Sequence, residues 1–145
     1  MTSQQFHYTP APNFPGMAGL PLVSLTLTHE RKRLTQAALV DSGSTINVLP
    51  YHVGLELGME WETQTFALDM RGILAGEPAF AVVLTGRVAD LPPAALIFAW
   101  TRKPDVRLIL GQTNFFQAFD VCFSGAQQLF EIAPKGALLP PMQRK

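Results

Sequence analysis

Between Ala37 and Pro50 the sequence reads Ala-Ala-Leu-Val-Asp-Ser-Gly-Ser-Thr-Ile-Asn-Val-Leu-Pro, an acid and a Ser-Gly turn set between two apolar runs. Leu39 and Val40 have the character of a buried strand, and Asp41-Ser42-Gly43 ends it with turn chemistry. Ile46, Val48 and Leu49 then resume the apolar pattern. A carboxylate delivered to the end of a buried strand is costly to desolvate, so Asp41 must be hydrogen-bonded, paired or functional. Taken by itself Asp-Ser-Gly describes a surface turn whose acid caps its own backbone. The apolar runs on both sides are what argue for more.

The rest of the chain is patterned for strands. Val23, Leu25 and Leu27 alternate with Ser24, Thr26 and Thr28, which predicts a half-buried strand. His29 to Arg33 turns the chain and Leu34 to Val40 returns it, a hairpin leading into the Asp41 turn. Pro50 suits the start of a short helix carrying Val53 and Leu57 and ending at Gly58. Trp61 to Met70 reads as strand, as do Ala79 to Leu84, Arg87 to Trp100 with a break at Asp90–Pro93, and Val106 to Leu110. Gln112-Thr113-Asn114 offers caps for a helical turn through Phe115, Phe116 and Phe119. Phe119 to Phe123 and Leu129 to Ile132 form a last hairpin. The sum is an all-β domain of about ten short strands with one short helix, a closed barrel-like fold. Residues 1–20, with Pro10, Pro12, Pro15, Gly16 and Gly19, read as an extended proline-rich arm, 21–133 as the domain, and 134–145 as a loose tail.

Composition removes several function classes. With 145 residues there is room for one domain and one sizeable core. Eleven basic against 11 acidic residues leave no field to attract phosphate, which argues against nucleic acid as a partner. Arg31-Lys32-Arg33 reads as a solvated turn. No apolar run approaches the roughly 18 residues of a membrane span, and Met1 to Tyr8 lacks the pattern of a signal peptide, so no membrane association and a cytoplasmic location are expected. Cys122 stands alone, in an apolar context that predicts a small buried hydrophobe.

His7, His29 and His52 are scattered without metal-ligand spacing, so neither a metal nor another cofactor is expected. Ser42 lacks the small-residue elbow of a hydrolase nucleophile, and the apolar and acidic neighbours of Cys122 do not activate a thiol. What remains is Asp41. One carboxylate cannot serve as both acid and base, but two copies facing each other across a two-fold axis could, since close carboxylates hold one proton between them.

Val40-Asp41-Ser42-Gly43-Ser44, followed by Ile46-Asn47-Val48-Leu49-Pro50 and a short helix, resembles the active-site segment of the retropepsin-type aspartic proteases. Leu108-Ile109-Leu110-Gly111 with Asn114-Phe115-Phe116 is similar to the second signature of that family. The resemblance spans roughly residues 20–133. It implies an aspartic endopeptidase acting on polypeptide substrates. With one motif per chain, it also implies a homodimer contributing one Asp41 from each copy. By position, Asp41, Ser42, Gly43 and Ser44 would form the catalytic segment. Ser42 stands where Thr is usual, Gly43 allows close approach, and Ser44 is expected to donate a hydrogen bond to the ionised Asp41. The substrate would lie between a flap, with Gly72 and Gly76 as hinges around Ile73 and Leu74, and a floor at Leu110 and Gly111. The alternative reading is a retropepsin-like domain without activity, used for dimerisation or peptide binding.

Overall fold

The alternation that begins at Leu22 becomes the first long strand of a barrel. The computed structural model describes residues 3–10, 19–69 and 76–138. In chain order they form β1 (Gln4–His7), β2 (Leu22–His29), β3 (Lys32–Val40), β4 (Asn47–Pro50), α1 (Tyr51–Glu56), β5 (Ala67–Leu68), β6 (Ala79–Val88), β7 (Ala94–Thr101), β8 (Ile109–Leu110), α2 (Phe115–Ala118), β9 (Phe119–Ser124) and β10 (Leu129–Pro134). The fold is all-β with short helices, as the sequence pattern requires.

Six strands close on themselves in the order β2-β3-β8-β4-β7-β6, with β6 pairing back onto β2 from Leu25↔Val88 to Thr28↔Thr85. Closure follows from the alternation. Val23, Leu25 and Leu27 of β2, Leu84 and Val88 of β6, and Leu96, Phe98 and Trp100 of β7 all turn into one core, and a closed barrel buries such a face without leaving an edge. The small β5 hangs on β6. The remaining strands make a three-stranded sheet in the order β1-β10-β9. Gln4–His7, inside the proline-rich stretch, is therefore extended and paired with Leu129–Ile132.

Three local expectations give way to tertiary contacts. Among the described residues of the stretch from Trp61, only Ala67–Leu68 is strand, and Met70 lies outside them. Trp61 instead packs edge-on against Tyr51, Phe80 and Trp100, with the Arg102 guanidinium 4.7 Å above its ring, so an aromatic cluster sets the backbone path there. The apolar run from Val106 pairs as strand only at Ile109–Leu110. Cys122, expected to be buried, is exposed. It lies on β9, an outer strand of the three-stranded sheet among the described residues.

Glycine is a poor helix former, yet Gly54 in α1 is where Trp100 packs. A Cβ there would overlap the indole ring, whose Nε1 donates to the Tyr51 carbonyl at 3.1 Å. Forcing a fully buried indole aside belongs to the upper part of the roughly 1–3 kcal/mol range for overpacking, against about 1 kcal/mol gained in helix propensity. Gly54→Ala should therefore lower the urea-unfolding stability by about 1–2 kcal/mol. An unchanged or raised midpoint would contradict this packing.

Candidate active site

The two sequence signatures meet because β8 is inserted between β3 and β4. It runs parallel to β3, with Leu39↔Ile109 and Val40↔Leu110, and antiparallel to β4, with Val48↔Ile109. Beyond β8 the chain passes through the loop that follows β3. The Gln112 amide donates to the Ser44 carbonyl (2.9 Å), that of Thr113 to Thr45 (3.0 Å) and that of Asn47 to Thr113 (3.1 Å). A Cβ at Gly111 would stand 2.6 Å from the Ile46 carbonyl oxygen and 2.7 Å from that of Ser44. Glycine is required there by backbone on both sides.

Asp41 emerges half-buried at the end of β3. Its backbone amide donates to the Leu110 carbonyl at 2.9 Å, and its Oδ1 accepts the Gly43 amide at 2.9 Å. Ser42 and Gly43 are exposed, and the Ser42 carbonyl accepts the Gln112 side-chain amide at 2.7 Å. The acid thus sits on a turn tied at its entry, its middle and its exit. Ser44 behaves differently from expectation. Its hydroxyl donates to the Ile46 carbonyl at 2.7 Å, so that proton holds the loop rather than the carboxylate.

Asn47 and Asn114 complete the site, and the sequence reading assigned neither this role. Asn47, fully buried, accepts the Gly111 amide on Oδ1 at 2.7 Å and donates through Nδ2 to the Ile97 carbonyl (2.8 Å) and to Asn114 Oδ1 (3.1 Å). Asn114 also accepts the Ile97 amide (3.0 Å) and donates to the Ala95 carbonyl (2.9 Å). It makes no side-chain cap for α2, contrary to the expected capping role. The available signal was one polar residue inside Ile46-Asn47-Val48-Leu49, a position where only a fully bonded side chain is tolerated.

A cavity of about 290 Å³ opens beside Asp41. Its apolar wall is Leu39, Val48, Val106 and Ile109, and Lys103, Asp105 and Arg107 stand at its margin. This wall belongs to a small apolar cluster separate from the barrel core. Of the proposed floor residues, Leu110 points into the barrel core and contributes its carbonyl to Asp41, while Gly111 lies behind the loop. Ile109 takes the lining position. Gly76 is exposed, with φ of +78° and open space around it, whereas Gly72, Ile73 and Leu74 lie outside the described residues. Among the described residues no group of His, Cys, Asp and Glu could hold a metal, and no helix is long and apolar enough to cross a membrane.

No family model matches this sequence, and no curated protein does. Among solved structures, the chain is similar to a retropepsin-like aspartic protease from Rickettsia conorii, at 10% identity over 90% of this chain and 91% of that one, with a TM-score of 0.58. That likeness is one of fold.

Removing Asn47 leaves the Gly111 amide buried without an acceptor, a loss of about 1–3 kcal/mol. Ser44→Ala removes one bond to a carbonyl, worth about 0.5–1.5 kcal/mol. Urea unfolding should rank Asn47→Ala clearly below Ser44→Ala in stability. The reverse order would mean that the loop crossing does not depend on Asn47. The pH–rate profile of Ser44→Ala should keep its position, since the hydroxyl is engaged elsewhere.

Proposed function

We propose that this protein is an aspartic endopeptidase whose active site is completed by a second copy of the chain. The observation that carries the reading is Asp41 itself, on a surface turn at the mouth of an apolar cavity: its carboxylate accepts the Gly43 amide, and its backbone amide donates to the Leu110 carbonyl. A turn that only capped its own backbone would need neither the cavity nor the loop crossing behind it. The fold likeness to a retropepsin-like protease supports the same reaction class.

Two Asp41 side chains across a two-fold axis would share one proton. The ionised carboxylate takes a proton from water while the protonated one hydrogen-bonds the scissile carbonyl. Water adds to the carbon, and collapse of the tetrahedral species breaks the C–N bond as the amine gains a proton. Gly43, Ser42 and Ser44 act in this scheme by holding the turn that carries the acid. The polypeptide lies extended, with an apolar side chain against Leu39, Val48, Val106 and Ile109.

The test is cleavage of a denatured protein or peptide pool across roughly pH 3–7, the range in which a carboxylate pair changes protonation. Wild type should cleave, and Asp41→Asn should lose at least about 10²–10⁴-fold in rate while keeping its unfolding midpoint, because the amide oxygen still accepts from Gly43. A transition-state-mimicking inhibitor of aspartic proteases should block the wild type. Inactivity of a folded, dimeric wild type across this range would favour the alternative of a binding or dimerisation module.

A further inference from the structure

The loop that enters β8 carries three cations, Arg102, Lys103 and Arg107. Arg102 is engaged, with its guanidinium 4.7 Å above the Trp61 ring. Lys103 and Arg107 are not. Both line the cavity beside Asp41, and among the described residues neither side chain makes an ion pair or a hydrogen bond. The loop itself is fixed. The Lys103 amide donates to Oγ1 of the buried Thr101 at 3.0 Å, Asp105 turns the chain at a φ of +61°, and the Leu108 carbonyl accepts the Leu39 amide at 2.9 Å. Lys103 is half-buried. An ammonium held there without a counter-ion attracts a carboxylate more strongly than one in open water does.

Strand direction sets the order of groups along the cavity. β8 runs parallel to β3, with Leu39↔Ile109 and Val40↔Leu110. Asp41 therefore lies beyond one end of this pairing, and the loop through Lys103 and Arg107 enters at the other. Leu39, Val48 and Ile109 occupy the middle. Arg107 precedes Ile109 by two positions, the spacing that keeps side chains on one face of an extended chain. The cavity thus runs from a carboxylate, across an apolar wall, to two unpaired cations. The exposed Asp105 stands on the same margin, but one carboxylate against two cations leaves that end positive.

We propose that Lys103 and Arg107 select substrates carrying an acidic side chain two residues from the apolar one that fills the cavity. This rests on the protease reading above and names a substrate class within it. In an extended peptide, side chains two positions apart share a face and stand about 6.6 Å from each other. A peptide with its scissile bond at Asp41 and an apolar side chain over Leu39, Val48 and Ile109 directs its next same-face side chain toward the loop. Glu or Asp there meets two cationic donors, and a guanidinium can hold a carboxylate through two bonds. Lys or Arg there meets like charge. Each copy in a two-fold dimer supplies one such cavity, so the preference applies on both sides of the scissile bond.

The test uses peptides blocked at both ends, so that a side chain is the one carboxylate offered. Three peptides share an apolar residue at the cleavage position and differ only two residues outward from it, carrying Glu, Gln or Lys. Wild type should cleave the Glu peptide with a kcat/KM roughly three- to tenfold above that of the Gln peptide, the scale of partly exposed ion pairs. The Lys peptide should fall below both. The Glu-to-Gln ratio should shrink in about 1 M salt, where charges are screened within roughly 3 Å. It should approach one in the double variant Lys103→Gln, Arg107→Gln, and rise in Asp105→Asn. Equal cleavage of the Glu and Gln peptides by wild type, a ratio indifferent to salt, or a folded double variant that keeps the preference would each overturn the proposal. Should the double variant lose its fold by circular dichroism, the salt dependence of the wild type decides. If wild type cleaves none of the peptides, fluorescence anisotropy with labelled versions separates the two readings. Binding that favours Glu would then sink the protease reading alone, and binding without preference, or no binding, would sink both.

Discussion

One backbone amide organises the site. The N–H of Gly111 leaves β8 and is accepted by Asn47 Oδ1 at 2.7 Å, in a place where the Ser44 and Ile46 carbonyls leave no room for a side chain. A segment that crosses through another loop of the same chain is entropically costly and takes polar groups away from water. Here the amides of Asn47, Gly111, Gln112 and Thr113 all find acceptors, and among the described residues no buried side-chain nitrogen or oxygen lacks a partner. The position of Asp41 depends on this crossing, because the acid's own amide is bonded to Leu110, one residue before it.

The crossing also separates two apolar regions. Residues of β3, β8 and β4 that face inward join the barrel core, while Leu39, Ile109 and Val48 face the other way and form the wall beside Asp41. The same three strands therefore serve stability on one face and a candidate binding surface on the other. That is why continuous apolar runs, rather than alternation, mark these strands in the sequence. The small share of charged residues, 15%, is consistent with a chain that keeps such surfaces for contact.

Much of the fold was readable from pattern. The β2–β3 hairpin of the barrel and the β9–β10 hairpin beside it follow from alternation and turn residues, which are local signals. The stretch after Trp61 was misread because a bulky aromatic suits a strand in isolation, and only the cluster with Tyr51, Phe80 and Trp100 turns it into an anchor for a loop. Asn114 was read as a cap for the same reason. Its preference at helix starts is local, whereas its actual partners, Asn47, Ile97 and Ala95, lie 17 or more positions away. Cys122 is exposed despite its context, because apolar neighbours do not distinguish a central strand from an outer one.

By itself the sequence determined that this chain is all-β and that Asp41 lies between two buried strands. Those conclusions need only periodicity, turn preference and the cost of burying charge, all of which act over a few residues. The tertiary structure decided what Asp41 is bonded to, that Ser44 secures the loop instead of the acid, that Ile109 rather than Leu110 faces the cavity, and that Cys122 is exposed. Each of these depends on which distant backbone groups are brought within hydrogen-bond distance, and the insertion of β8 between β3 and β4 is what brings them there.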